Sequence, residues 1–309
     1  MANYLITIIG PTAIGKTALS IALAKHFKCD ILSCDSRQFF KEMTIGTAVP
    51  SDVEQAAAPH HFIQHISVFD PYTVGDFERD ATAKLDELFS KNKVQIMVGG
   101  SGLYVDAILK GFDDFPDIDP SVRENIRENY ENSGITYLQE ELARLDPEYF
   151  QKISVENPQT LQNPQRMMRF VEVSLGSGKP YSSFLNQKKN TRNFIPIVIA
   201  LEAEREVMYD RINRRVDLMR DAGLLEEAQR LYPNKTLNAL QTVGYRELFS
   251  YFDGDCTLDF AIEEIKKNTR RFAKRQLTWF KRTENAQWFD YTTPVPQIIA
   301  YADQQIQNK

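Results

Sequence analysis

The chain is poor in the residues that metal and disulfide chemistry need. Its 309 residues include three cysteines and four histidines. Cys29, Cys34 and Cys256 are an odd set with no C-x-x-C spacing, which excludes a paired disulfide framework and a cysteine zinc site and suits reduced thiols in a cytoplasm. No apolar run approaches the length that spans a bilayer, and the start, Met-Ala-Asn-Tyr, lacks the basic n-region of a secretory signal. Basic charge is not in excess either: the net charge of −5 argues against general nucleic-acid affinity, although a whole-chain sum hides local faces. What remains, 42% hydrophobic and 26% charged residues, is the composition of a globular enzyme with enough apolar side chains for a sizeable core. The length exceeds that of one ordinary domain and leads us to expect a core plus an insertion.

The organising stretch is Gly10-Pro11-Thr12-Ala13-Ile14-Gly15-Lys16-Thr17, which follows the apolar run Leu5 to Ile9 and precedes a helical Ala/Leu/Ile pattern ending near Lys25. This is the G-x-x-x-x-G-K-[ST] spacing of a phosphate loop between strand and helix. Its glycines let successive backbone N–H groups face one anion while the new helix adds its positive end. Lys16 supplies a mobile charge for the terminal phosphates, and the Thr17 hydroxyl is the usual ligand of Mg2+. The expected fold is therefore α/β, a P-loop NTPase-like parallel sheet flanked by helices.

The next strand, Asp30 to Cys34, delivers Asp35-Ser36-Arg37-Gln38 to the carboxyl edge of that sheet, where ligands bind. Asp35 is thus a candidate catalytic residue, with turn formation as its plainer alternative. His60, His61 and His65 have no carboxylate or cysteine at ligand spacing and read as loop packing. Helical periodicity is expected over residues 76–89. A third strand, Val94 to Val98, ends in Gly99-Gly100-Ser101-Gly102, where hydrolytic P-loop enzymes carry an acidic residue that holds water and magnesium. The departure weakens an ATPase reading and suggests a bulky group approaching the backbone at Ser101.

A breaker cluster near Asp113 opens a change of composition. We expect an all-helical insertion at 116–190, with helices over 121–132, 136–145 and 163–175, between core segments 1–115 and 191–309. Within it, Gln162-Asn163-Pro164-Gln165-Arg166 joins amides, a helix-starting proline and a guanidinium. The chain returns with the buried-strand pattern Ile195 to Leu201 and a helix threaded with arginines, of which one or two face the phosphates. Residues 263–284 hold eight Lys/Arg against three Glu. On a helical wheel Lys267, Arg270, Arg271, Lys274, Arg275, Lys281 and Arg282 share a side opposite Ile262, Ile265, Phe272, Ala273 and Phe280, a basic amphipathic helix suited to phosphate-backbone contact.

Gly10 to Thr17, Asp35-Ser-Arg-Gln38, Ile45-Gly-Thr-Ala48, Gly99-Gly-Ser-Gly-Leu-Tyr104, Asn163-Pro-Gln-Arg166, Val243-Gly-Tyr-Arg246 and Lys274-Arg-Gln276 with Trp279 together resemble the bacterial tRNA dimethylallyltransferases across nearly the whole chain. The resemblance implies transfer of a dimethylallyl group from dimethylallyl diphosphate to the exocyclic N6 amine of the adenine 3′ of the anticodon, by a magnesium-dependent, cytoplasmic, monomeric enzyme. It makes Asp35 the general base, sets Thr17 at the reacting centre and the magnesium, and adds Arg215 to Lys16 on the diphosphate. It also matches Asp35, Ser36, Arg37, Gln38, Ser101, Arg123, Gln162, Asn163, Pro164, Gln165, Arg166, Gln241, Thr242, Val243, Gly244, Tyr245 and Arg246 to positions that contact the tRNA anticodon arm. Ile14 stands where Ser is commoner, and Phe39-Phe40 replaces Val-Tyr. The rival readings are a small-molecule kinase, with ATP in the loop and Asp35 activating a hydroxyl, and a non-catalytic P-loop RNA-binding module.

Overall fold

The computed structural model describes residues 2–113, 115–185 and 192–308. They form two compact units, Met1–Gly111 with Arg192–Lys309, and Phe112–Thr191. The boundary expected at residues 190 and 191 lies outside the described residues.

The first unit carries strands β1 (Tyr4–Ile9), β2 (Ile31–Ser33), β3 (His60–His61), β4 (Val94–Val98), β5 (Ile195–Glu202) and β6 (Ala286–Asp290). Their order in the sheet is β3-β2-β4-β1-β5-β6, and every pairing is parallel. A central parallel strand is covered on both faces and so reads as a continuous apolar run; β1 is buried at all six positions. Leu5 and Ile9 face one core with Phe77, Leu85 and Ile108. Ile6 and Ile8 face the other with Leu19, Leu23 and Ile298. The helices that cover the sheet include Lys16–Phe27, Val74–Lys91, Gly102–Lys110 and Val295–Gln307. A further core joins Val216, Leu224, Leu248 and Ile265 from the helices Arg205–Asp221, Leu224–Leu231, Tyr245–Phe252 and Leu258–Phe280.

The strand expected third is fourth in the chain, because His60–His61 makes a two-residue strand beside Ile31 and Leu32. The histidines pack, although His60 and His61 do so on this strand rather than in the expected loop. His61 Nε2 meets Asp30 Oδ2 at 2.8 Å, His65 sits among Phe39, Phe62 and Tyr72, and the described residues contain no metal-ligand cluster. All three cysteines are free, and no described helix is long and apolar enough to cross a membrane.

In the second unit the described elements are helical: Pro120–Leu145, Pro147–Glu156 and Pro164–Ser177, with two short 3-10 turns. All three helices begin with the same device, a capping side chain followed by proline at the first helical position. Asp119 accepts from Ser121 N–H, Asp146 from Tyr149 N–H and Asn163 from Arg166 N–H. The two helices expected over 121–132 and 136–145 form one span broken at Gly134, whose φ of 70° and ψ of −162° are not helical. Ile126, Leu138, Leu142, Met167 and Val171 form the core of this unit.

Candidate functional site

With β1 between β4 and β5, the loops that follow these strands lie side by side at the carboxyl edge of the sheet, and the loop after β2 lies beyond that of β4. The phosphate loop is built on unusual backbone. Gly10 has φ 145°, and a Cβ there would stand 2.7 Å from the Leu201 carbonyl oxygen. Ala13 and Gly15 follow with φ 64° and 111°, left-handed conformations that turn a short chain around a point. The Lys16–Phe27 helix starts from Gly15 with no side-chain cap, so its first-turn N–H groups remain available to an anion. Lys16 Nζ donates to the Gly10 and Pro11 carbonyls at 3.0 and 2.8 Å. Burial pushes its pKa down to about 8, against the opposing field of Asp35.

Two arginines of the Arg205–Asp221 helix brace this loop. Arg211 Nε donates to the Ala13 carbonyl at 2.9 Å, with its guanidinium over the Tyr291 ring. Arg215 Nη1 lies 3.5 Å from the Thr12 hydroxyl. Burial lowers the pKa of Arg215, and Arg211 acts in the same direction.

Asp35 opens the loop after β2, and its Oδ1 accepts from Arg37 N–H at 3.1 Å. Burial raises its pKa, opposed by that hydrogen bond and by Lys16, Arg37 and Arg215. One carboxyl oxygen thus shapes the turn, as the plainer reading expects, while the group lines one cavity with the phosphate loop. Ser36 N–H donates to Ser101 Oγ at 3.1 Å, which ties the Asp35 loop to the end of β4. Arg37 Nη1 donates to the Asn238 and Ala239 carbonyls. The Gln38 amide is engaged at both ends, accepting from Ser33 Oγ and donating to the Thr47 and Ala48 carbonyls.

The glycines after β4 make room for the protein's own side chains. A Cβ on Gly99 would stand 2.5 Å from Cys34 Sγ, one on Gly100 2.3 Å from Gln276 Nε2, and one on Gly102 2.4 Å from the Trp279 ring. Gln276 is only 6% exposed. It accepts from Thr12 N–H at 2.9 Å and donates to the Gly100 carbonyl at 2.8 Å. Residue-by-residue reading of the sequence assigned no role to Gln276, since its partners are 264 and 176 positions away.

Two cavities open here. One, of about 220 Å³, is lined by Ala13 to Ala18 and by Ser33. The other, of about 390 Å³, is walled by apolar side chains that include Leu103, Met219, Val243 and Trp279. Thr12, Asp35, Arg215, Phe272 and Gln276 line both.

Three expectations change. Phe272, expected on the core side of the basic helix, is 39% exposed and lines the cavities. Arg270, expected among solvent-facing charges, donates to Asn213 Oδ1 at 2.6 Å and lies over Tyr209; Arg271, Lys274, Arg275, Lys281 and Arg282 remain exposed. Tyr245, expected to contact RNA, is 0% exposed. Its hydroxyl donates to Glu227 Oε1 at 2.7 Å, and Glu227 also accepts the N–H groups of Thr44, Ile45 and Gly46. Of the neighbouring positions, Thr242, Val243 and Gly244 line the larger cavity, and Gln241 and Arg246 are exposed.

In the helical unit, Gln162, Asn163, Gln165 and Arg166 are exposed and Pro164 is half-buried. Asn163 is the cap described above. Exposed Arg123 pairs with Glu172 at 2.9 Å.

Residues 38–283 match the family model described as IPP transferase. The chain is 73% identical over 299 residues to the tRNA dimethylallyltransferase of Flavobacterium johnsoniae, covering 97% of both chains. It is 60% identical over 306 residues to that of Christiangramia forsetii, covering 99% of each. Among solved structures it is similar to the full-length tRNA isopentenylpyrophosphate transferase of Bacillus halodurans, with TM-score 0.72, 34% identity and coverage of 99% of this chain and 97% of that one. It is also similar to a eukaryotic dimethylallyltransferase acting on tRNA, with TM-score 0.83, 25% identity and coverage of 100% and 80%.

Proposed function

The chain belongs to the IPP transferase family, and from that premise we propose how its residues carry out the transfer of a dimethylallyl group from dimethylallyl diphosphate to the N6 amine of the adenine 3′ of a tRNA anticodon. The observation that carries this reading is the junction of the two cavities. A diphosphate in the loop and a base in the apolar cavity meet at one wall, which includes Thr12, Asp35, Arg215, Phe272 and Gln276.

In the step itself the adenine N6–C bond forms at the allylic carbon, the C–O bond to diphosphate breaks, and the amine proton goes to the Asp35 carboxylate. An allylic carbon carries developing positive charge well, so the barrier falls chiefly through stabilising the departing anion, a task for the loop N–H groups, Lys16 and Arg215. The exocyclic amine is a weak nucleophile, and a carboxylate held against it removes the proton as the bond forms. Burial raises the Asp35 pKa and so makes the carboxylate a stronger base than an exposed one. To present its amine the adenine leaves the stack, as in other enzymes that act on a base.

The donor set fits Mg2+. The described residues offer no carboxylate cage, but Thr17 adds a hard oxygen beside the loop, the arrangement of a magnesium held mainly by phosphate oxygens and water. When bound, that ion supplies positive charge to the leaving diphosphate. For tRNA, the exposed face of Arg271, Lys274, Arg275, Lys281 and Arg282 provides phosphate contacts. Ser36, Ser101, Arg246 and, in the helical unit, Arg123 and Gln162 to Arg166 are the further contact candidates, while Gln38 and Tyr245 act as braces. Free cysteines accord with action in the cytoplasm.

The test is incubation with magnesium, unmodified tRNA and either dimethylallyl diphosphate or ATP, followed by mass analysis of the nucleosides. Prenylated adenosine with the first donor alone is the expected result. Its absence defeats the reading.

A further inference from the structure

We infer that Gln276 is a positioning residue for the transfer, locking the phosphate loop to the end of β4 and occupying the place from which a hydrolytic P-loop enzyme presents an acidic side chain. This rests on the transferase reading above. Gln276 is a buried polar side chain whose two amide ends are both used on backbone, Thr12 N–H at 2.9 Å and the Gly100 carbonyl at 2.8 Å. Thr12 carries the hydroxyl that meets Arg215, so fixing the Thr12 backbone fixes the reach of that guanidinium toward the loop. The same helix sends Phe272, Arg275 and Trp279 into the wall of the larger cavity. One amide thus sets the register between the cradle of the leaving group and the wall against which the acceptor lies.

Side-chain chemistry at this point is constrained in two ways. A Cβ on Gly100 would stand 2.3 Å from Gln276 Nε2 and 3.8 Å from Lys16 Nζ, so the amide covers the direction in which a residue at 100 would reach the loop lysine. The amide is also neutral and two-faced. A carboxylate of the same shape accepts from Thr12 but has nothing to donate to the Gly100 carbonyl, and it sets a negative charge where the diphosphate binds.

Steady-state kinetics of wild type, Q276E, Q276M and Q276N, with dimethylallyl diphosphate and tRNA varied separately, test the assignment. Q276E keeps the shape and one hydrogen bond, Q276M the shape alone, and Q276N both amide groups on a shorter stem. A residue that only packs would tolerate Q276M best, since Met keeps the shape without burying a charge. For a positioning residue, Q276E and Q276M both lower kcat by about tenfold or more, the scale of a lost buried hydrogen-bond pair. Q276E further raises the KM for dimethylallyl diphosphate about tenfold above that of Q276M, the KM for tRNA changes by less than about threefold, and Q276N recovers part of kcat. Kinetics of Q276M or Q276E close to wild type, or a KM for tRNA that rises with the donor KM, overturns the inference. Wild type without product in the same assay instead overturns the transferase reading.

Discussion

Asp35→Asn separates the chemical role of Asp35 from its structural one. Two roles meet at the Asp35 carboxyl: Oδ1 accepts the Arg37 N–H at 3.1 Å, and in the proposed mechanism the ionised group takes the amine proton. Asparagine keeps an acceptor at the first position and cannot perform the second. The loss therefore falls on turnover, by about 10²- to 10⁴-fold for an absent general base, equivalent to roughly 3–5 kcal/mol of barrier. Stability should move the other way. Burial raises the pKa of this carboxyl in the fold despite its hydrogen bond and the charges of Lys16, Arg37 and Arg215. Between the ordinary carboxylate pKa and the raised one, the folded state binds more protons than the unfolded state, and wild-type stability falls as pH rises through that window. A neutral amide carries no such penalty, so the variant is at least as stable as wild type above the window and the two converge below it. Single-turnover kinetics with saturating tRNA report the first effect, and denaturant melts at several pH values the second. A variant that turns over normally but binds tRNA poorly refutes the base assignment. One that is less stable than wild type at neutral pH refutes the burial account.

The pH profile of kcat/KM for the donor should be bell-shaped, rising as Asp35 ionises above the usual carboxylate range and falling above about 8, where Lys16 loses its proton; Lys16→Arg should remove the alkaline fall, and an unchanged fall would refute the assignment. Neutralising Arg271 and Lys274 together should weaken tRNA binding and lower its salt slope by about two, whereas unchanged filter-binding isotherms across salt would make that face merely solvated. Glu227→Gln replaces one acceptor of the 44–46 loop with a donor, at a cost on the order of 1–3 kcal/mol. Thermal unfolding should show a loss of several degrees, with a smaller loss for Tyr245→Phe, and equal midpoints for both variants and wild type would show that the loop is held otherwise.

The parts of the fold legible in the sequence are those whose signal is local. β1, β4 and β5 are buried strands that read as apolar runs, and the phosphate loop has a fixed spacing that a strand and a helix bracket. β6 was not visible because it lies at the edge of the sheet, with no fully buried position among Ala286–Asp290, so its pattern lacks the continuity of a central strand. The helix Pro147–Glu156 escaped notice although Asp146 and Pro147 carry the same start signal as the helices at 120 and 164. At the site, Asp35 could be placed from its position at the carboxyl end of a strand. Gln276, Glu227 and the burial of Tyr245 could not, because each is defined by partners brought near only by the fold. The glycines after β4 suggest a bulky group approaching at Ser101; the close approaches lie instead at Gly99, Gly100 and Gly102, where Cys34, Gln276 and Trp279 fill the space.

That crowding links two features that look independent in the sequence, the carboxylate after β2 and the missing acidic residue after β4. In the strand order β2-β4-β1, the turn after β4 separates Asp35 from the phosphate loop. With glycine at 99 and 100, Cys34 and Gln276 pack against that turn, and Asp35 comes to line the same cavity as Lys16. An acidic side chain on β4 would need the space that this approach uses. The fold therefore supplies its carboxylate from the strand beyond, on the wall shared with the apolar cavity, where the proposed mechanism sets it against an acceptor base rather than a water aligned on a phosphate. A phosphate loop arranged in this way is suited to releasing a diphosphate from carbon, with hydrolysis disfavoured by the same contacts that bring the base close.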